Sequence, residues 1–198
     1  MPHIPIDLNK LDGPNHDQIV ELLTKALETV GFFQVVNHGV PTQLLERVKE
    51  KAHQFFNQPL EKKSIYLHEV NKNPFAKYES SYAPEEEEVM EWGDHLDLFY
   101  KTDDEAHKYW SEECKEVTLE YMKGSTKMAR RIFEVLIKKL GVTVVDNEAI
   151  DAYIASKMVV AMNFFPKCPN PELTLGVGRH SDVGTLTVLL QDEVGGYI

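Results

Sequence analysis

The sequence predicts an α+β fold, with a mixed α/β N-terminal half followed by strands that have no helix between them. Three observations predict it. Apolar residues recur at helical spacing on both sides of a β-branched and aromatic run, Phe32-Phe33-Gln34-Val35-Val36. A longer helical pattern covers about residues 110–140. The last forty-odd residues then hold extended stretches separated by Pro and Gly, which is how an all-β barrel begins, with too few strands to close one. At 198 residues, the chain is long enough for one ordinary domain, or for a small domain plus part of another.

Ile4, Ile6 and Leu8 alternate with other residues and predict a short strand, and Pro5 suits an edge position. A helix follows, capped by Asn15 or Asp17, with Ile19, Leu22, Leu23, Ala26, Leu27 and Val30 as one stripe. Gly31 stops it in the C′ role. The run at 32–36 is a strand, ended by Asn37-His38-Gly39. Pro41 begins a second helix with Leu44, Leu45, Val48, Ala52, Phe55 and Phe56 on one face, and Pro59 ends it. Residues 61–84 are expected to hold loops and short strands, and the acidic run at 85–88 reads as solvated charge.

His95-Leu96-Asp97-Leu98-Phe99-Tyr100 is a strand. In the long helix, Leu119, Met122, Ala129, Phe133, Leu136, Ile137 and Leu140 keep helical spacing; Gly124 weakens its middle and Gly141 closes it. Residues 146–155 predict a short helix. Strands follow at 157–165, stopped by Pro166, Pro169 and Pro171, then at 173–180 and 185–190, and residues 195–198 read as a turn and the start of a fourth.

Composition narrows the function classes. Lys and Arg number 21 against 32 Asp and Glu, a formal charge of −11. Such a chain repels polyanions, which argues against nucleic acid and anionic membranes as partners. The 42% of hydrophobic residues is too high for a disordered chain. Two cysteines, Cys114 and Cys168, exclude a disulfide scaffold and suit a reducing compartment. No apolar run approaches the roughly 20 residues needed to span a bilayer, and residues 1–13 carry no signal-peptide core. Cytoplasm is the expected location. Nothing in the sequence bears on oligomeric state.

The segment with chemistry in it is Gly176-Val177-Gly178-Arg179-His180-Ser181-Asp182. On an extended chain His180 and Asp182 point to one face and Ser181 to the other. Imidazole nitrogen and carboxylate oxygen are two of the three donors in the 2-His-1-carboxylate triad that holds non-haem Fe(II) with open positions. A His-x-Asp tripeptide by itself is a weak signal that surface residues also satisfy. Gly176-x-Gly178 is no dinucleotide fingerprint, because the third glycine and the following helix are missing. His38, at a strand end, reads as a structural histidine bonded to turn backbone. His3, His16, His53, His68, His95 and His107 lie in segments with no ligand-like partner. Cys114 and Cys168 do not suggest a metal clip, and Cys168, between two prolines, reads as packed.

Two longer stretches closely resemble the plant 2-oxoglutarate/Fe(II)-dependent dioxygenases. One is Asn163-Phe164-Phe165-Pro166-x-Cys168-Pro169 with Asn170-Pro171-Glu172-Leu173, residues 176–182 and residues 184–192; the other is the run from Gly31 to Val40. The likeness covers essentially the whole chain. Within the family it is similar to the feruloyl/coumaroyl-CoA ortho-hydroxylase group, on Leu119-Glu120-Tyr121-Met122 and on Asn170-Pro171-Glu172-Leu173-Thr174 followed by the His180 segment.

The resemblance implies a non-haem dioxygenase N-terminal domain at 1–110, connecting helices at 111–155, and the first strands of an incomplete double-stranded β-helix, or jelly roll, at 156–198. It implies His180 and Asp182 as iron ligands and Asn163 as the asparagine that helps seat 2-oxoglutarate. Phe165 stands where many relatives have a tyrosine whose hydroxyl also contacts 2-oxoglutarate. Phenylalanine cannot donate that bond, a loss of about 1 kcal/mol where the contact matters. The implied cofactors are Fe(II), 2-oxoglutarate as co-substrate and ascorbate as reductant, and the implied partners are O₂ and a small-molecule substrate. The implied reaction hydroxylates a small plant phenolic, a hydroxycinnamoyl-CoA thioester of coumarin-type biosynthesis among the candidates, through decarboxylation of 2-oxoglutarate and a ferryl intermediate. A CoA moiety would need a local basic cluster, for which Lys127, Arg130 and Arg131 are candidates, although they equally suit a solvated helix face.

The family pattern also includes a second histidine on a later strand and an Arg-x-Ser that grips the distal carboxylate of 2-oxoglutarate. Sixteen residues follow Asp182, and none is His, Arg or Ser. The expectation is therefore a truncated member that binds Fe(II) weakly, leaves Val188, Leu189, Leu190 and Ile198 near an open sheet edge, and is poorly stable and catalytically dead by itself. The alternative reading is an inactive family fragment with a structural or partner-binding role, and a third leaves His180 and Asp182 purely structural.

Overall fold

The computed structural model describes residues 5–67, 70, 73–80, 90–142, 146–155, 158–182 and 184–194. Helix and sheet are mixed, as an α+β fold requires. The elements are β1 (Ile6–Asp7), α1 (His16–Thr29), β2 (Val35–Val36), α2 (Thr42–Phe56), α3 (Leu60–Lys63), β3 (Ala76–Ser80), β4 (Met90–Glu91), β5 (Asp94–Phe99), α4 (Asp103–Tyr109), α5 (Lys115–Lys139), α6 (Asn147–Ala155), β6 (Val159–Phe164) and β7 (Thr174–Leu175). They divide into two units, Met1–Thr42 with Lys123–Ile154, and Gln43–Met122 with Ala155–Ile198. Among the described residues no helix is long and apolar enough to cross a membrane.

In the first unit, β1 and β2 pair in parallel, Ile6 with Val35 and Asp7 with Val36. Ile6, Leu8, Leu11, Ile19 and Leu23 are buried. Helix α1 ends as its sequence predicts: Gly31 takes φ +86°, a conformation in which a Cβ is strained, and its N–H donates to the Ala26 carbonyl at 3.0 Å. Asn15 occupies the N-cap, but its side chain makes no capping bond. The part of α5 in this unit is anchored by Arg131, which donates to the Leu8 carbonyl at 3.2 Å and to Asp12 at 2.7 Å. Arg130 binds Asp151 at 2.7 Å, Asn147 at 3.0 Å and Glu134.

The second unit is built on an antiparallel sheet of order β3-β5-β6. Alternation along each strand puts two rows on one face, Tyr78–Leu96–Met162 and Ala76–Leu98–Val160. All but the partly buried Val160 are buried, and they form one cluster with Phe55 and Phe56 of α2, Ala106 of α4, Trp110, Cys114, and Leu119 and Met122 of α5. Phe56 stacks on Phe164 with ring centroids 5.2 Å apart. At one end of the sheet the buried Lys63 donates to the Phe56 carbonyl at 2.8 Å and lies 3.4 Å from Asp94, which also accepts from Tyr78 at 2.9 Å and Ser80 at 2.5 Å. A buried charge is tolerated there because it is both paired and hydrogen-bonded.

Several expectations need correction. The strand over 32–36 contracts to Val35–Val36, and Phe32 is exposed. The long helix is present as α5 but begins at Lys115 rather than near Trp110, because Trp110 has extended backbone and closes a separate short helix, α4, that precedes the expected range. Residues 173–180 contribute only Thr174–Leu175 to a strand, after a 3-10 turn at Pro171–Leu173. Residues 185–190 form no strand; no described segment pairs with them, and a strand without a partner leaves its backbone groups unsatisfied. Val188 and Leu189 are accordingly exposed. The expected turn and strand at 195–198, the acidic run at 85–88 and Ile4 lie outside the described residues.

Phe55 is fully buried and touches the rings of Phe56, Tyr66 and Tyr78 at 5.2–6.0 Å between centroids. Phe55→Ala lowers unfolding free energy by about 3–5 kcal/mol in urea titration; a loss below about 1 kcal/mol contradicts this core. Burial pushes the Cys114 thiol up to about 12, whereas Cys168 is half-buried beside Thr174. In mildly alkaline buffer one thiol per chain therefore reacts with Ellman's reagent in the native state, and the second reacts only on unfolding.

Candidate functional site

Asn163, Phe165, His180 and Asp182 lie in the second unit. Strand β7 pairs in parallel with β4, Met90 with Thr174 and Glu91 with Leu175, and Trp92 N–H donates to the Leu175 carbonyl at 2.7 Å. This short ladder sets residues 176–182 beside β4. Gly178 is buried, and its N–H donates to Glu91 Oε1 at 2.6 Å. Its carbonyl faces His180 Nδ1 at 2.9 Å. A carbonyl only accepts, so Nδ1 carries the hydrogen, and in the neutral ring Nε2 holds a lone pair.

Nε2 of His180 lies 3.3 Å from Asp182 Oδ1, and both side chains are about half exposed. The other carboxylate oxygen, Oδ2, accepts from Thr187 Oγ1 at 2.7 Å. Each side chain thus has one polar atom anchored to the protein and one turned toward the other residue. A lone pair facing a carboxylate is unfavourable unless a positive charge is shared between them. The proton serves at low pH: the Gly178 carbonyl, with help from Asp182 and Glu91, raises the His180 imidazolium above the ordinary histidine range. Once that proton is gone, an imidazole and a carboxylate are the donor types that could hold a divalent cation in its place. Among the described residues no group of three or more His, Cys, Asp or Glu side chains is placed to hold a metal.

Asn163 on β6 is the ladder partner of His95 on β5, and His95 Nδ1 donates to Asn163 Oδ1 at 2.9 Å. That bond leaves the two amide hydrogens of Asn163 free to meet an acceptor. Phe165 follows β6, and its ring stands edge-on to His95 with centroids 6.2 Å apart. Gly93 makes this possible, since a Cβ there would come within 3.0 Å of two Phe165 ring carbons and 3.4 Å of His95 Nε2. A Cβ at Gly176 would meet the same ring at 3.7 Å, so Phe165 lies between the start of β5 and the segment that carries His180.

The structure therefore brings His180 to Asp182, and Asn163 to His95. His38 accepts from the Val40 N–H at 3.1 Å, the turn role its position predicts. His95, read as lying in a segment with no ligand-like partner, is hydrogen-bonded to Asn163. The missed signal is register: β5 and β6 both carry polar residues at the matching position, but the pairing spans 68 residues. His53 lies 3.6 Å from Asp192 and His107 lies 3.3 Å from Glu116, while His3 and His68 lie outside the described residues. Glu91 was also missed, because its partner Gly178 is 87 positions away and no local pattern marks it. Arg130 and Arg131, offered as a basic cluster for CoA phosphates, are committed to carboxylates.

Comparison with known proteins places these features. Residues 4–120 match the model described as non-haem dioxygenase in morphine synthesis N-terminal, and residues 156–198 match that of the 2OG-Fe(II) oxygenase superfamily. The chain is 48% identical over 192 residues to scopoletin 8-hydroxylase of Arabidopsis thaliana, covering 97% of this chain and 53% of that protein. It is 45% identical to a bifunctional coumaroyl-CoA and feruloyl-CoA ortho-hydroxylase of Ruta graveolens, covering 96% and 51%. The chain spans about half the length of the curated relatives it matches. A crystal structure of JOX2 in complex with 2OG, Fe and JA superposes with a TM-score of 0.70 at 30% identity, covering 91% of this chain and 53% of that one.

The His95–Asn163 bond is a cross-strand pair at the sheet surface. A double-mutant cycle of His95→Ala and Asn163→Ala gives a coupling of about 0.5–1 kcal/mol in unfolding free energy; additive single effects contradict the bond.

Proposed function

We propose that this chain, which belongs to the plant 2-oxoglutarate/Fe(II)-dependent dioxygenase family, supplies His180 and Asp182 to an Fe(II) centre and Asn163 and Phe165 to the seat of 2-oxoglutarate, in an oxygenase that hydroxylates a small plant phenolic. Residues 1–110 are the N-terminal domain, 111–155 the connecting helices and 156–198 the opening of the jelly-roll domain. The single observation that carries the reading is the convergence of His180 Nε2 and Asp182 Oδ1 at 3.3 Å, each held from behind by another bond.

Iron and 2-oxoglutarate, when bound, supply the O₂-dependent oxidation, with release of succinate and CO₂. The chain's residues do the rest. His180 offers Nε2 because the Gly178 carbonyl holds the hydrogen on Nδ1. Asp182 offers Oδ1 because Thr187 occupies Oδ2. Asn163, its oxygen tied to His95, turns its N–H groups to a carboxylate of 2-oxoglutarate. Phe165 contributes an apolar ring surface beside the seat and no hydrogen bond.

The names of the relatives point to coumarin-type phenolics, either the ring system or its hydroxycinnamoyl-CoA precursor, as the substrate class. The ion pairs of Arg130 and Arg131 lend no support to CoA phosphate binding at that helix. O₂ is the second small-molecule partner and ascorbate the reductant. The two unpaired thiols suit the cytoplasm.

The test is metal uptake. The chain takes up one equivalent of Mn(II), a stand-in for Fe(II), and His180→Ala and Asp182→Ala each weaken it at least about tenfold. Undiminished uptake in both variants contradicts the site and favours the alternative, an inactive family chain with a structural or partner-binding role. With Fe(II), 2-oxoglutarate and ascorbate the chain by itself forms no succinate above background, since two protein donors hold iron weakly. Measurable succinate overturns that expectation.

A further inference from the structure

We infer that Glu91 is a positioning residue for His180: acting through Gly178, it decides which imidazole nitrogen carries the hydrogen, and so whether Nε2 presents a lone pair to Asp182. This rests on the iron reading of His180 and Asp182 given above.

Glu91 is half-buried on β4, opposite Leu175 in the parallel ladder. Its Oε1 accepts the Gly178 N–H at 2.6 Å, a charge-assisted length. The same residue's carbonyl takes the His180 Nδ1 hydrogen at 2.9 Å. Gly178 is therefore gripped on its N–H side by β4 and grips the imidazole on its carbonyl side. The grip matters because glycine has the widest choice of backbone conformation, so an unheld Gly178 is free to turn its carbonyl away. A neutral imidazole without that acceptor favours hydrogen on Nε2, which presents an N–H, rather than a lone pair, toward Asp182 and toward any metal there. The backbone bond from Trp92 to Leu175 carries the strand pairing independently, so Glu91 is not needed to form the ladder.

Three variants separate positioning from folding. Glu91→Gln keeps an oxygen acceptor at the same reach, Glu91→Ala removes it, and Glu91→Met keeps the stem without the oxygen and serves where Glu91→Ala does not fold. Nitrogen-15 spectra of the imidazoles, recorded above their titration, with the His180 signals assigned by their loss in His180→Gln, read the tautomer. Amide hydrogen exchange reads the grip on Gly178, and Mn(II) titration reads the donor.

The parent and Glu91→Gln keep hydrogen on Nδ1 of His180 and a protected Gly178 amide. Glu91→Ala or Glu91→Met shifts hydrogen to Nε2, loses the protection and weakens Mn(II) binding about ten- to hundredfold. A folded Glu91→Ala or Glu91→Met chain with an unchanged tautomer and a protected Gly178 overturns the inference, while Mn(II) uptake by the parent leaves the iron reading standing. A tautomer that shifts in these variants while the parent takes up no Mn(II) upholds the positioning role and overturns the iron reading.

Discussion

His180 Nε2 and Asp182 Oδ1 are both electron-rich and are held 3.3 Å apart in a half-exposed position. Proteins avoid such an approach unless something positive occupies it, and the rest of the local structure keeps the two atoms from relaxing apart. Thr187 holds the far carboxylate oxygen, Gly178 holds the far ring nitrogen, and Glu91 holds Gly178. The site is a chain of anchors that begins on β4 and ends at the two facing atoms, His180 Nε2 and Asp182 Oδ1.

That chain is only as rigid as the sheet behind it. The rows Tyr78–Leu96–Met162 and Ala76–Leu98–Val160 pack on Phe55, Phe56 and Trp110, and burial of this apolar area supplies the order that Gly93 and Asn163 inherit. Gly93 gives up a side chain so that Phe165 and His95 can approach, which joins the sheet to the segment carrying His180. Stability and site geometry meet at that contact, and a packing change on β5 is felt at Asn163.

Sequence made legible what local periodicity governs. The apolar stripes marked α1, α2 and the body of α5, and the alternation in His95-Leu96-Asp97-Leu98 marked β5. Gly31 marked a helix end by its backbone freedom. His180 Nε2 and Asp182 Oδ1 lie 3.3 Å apart although residues 176–182 form no strand, so the contact does not come from strand alternation but from the anchors on each side chain. Pairings across long separations were not legible: Glu91 with Gly178, and His95 with Asn163, depend on register that no short window contains. Residues 185–190 show the converse, since β-branched composition predicts a strand that exists only where a neighbour accepts its hydrogen bonds. Helix α4 has a local signal: at its N-cap Thr102 accepts from the Glu105 N–H at 3.2 Å and its hydroxyl donates to the Glu105 carboxylate at 3.1 Å, the N-cap that a Thr residue at that spacing announces.

Paramagnetic broadening locates a bound cation without altering any residue. In a nitrogen-15 correlation spectrum of the chain, substoichiometric Mn(II) broadens the amides of Gly178, His180, Asp182 and Thr187 first, if the convergent donors are a metal site. Broadening centred instead on the acidic surface around Glu112, Glu113 and Glu116, with residues 178–187 sharp, contradicts the account.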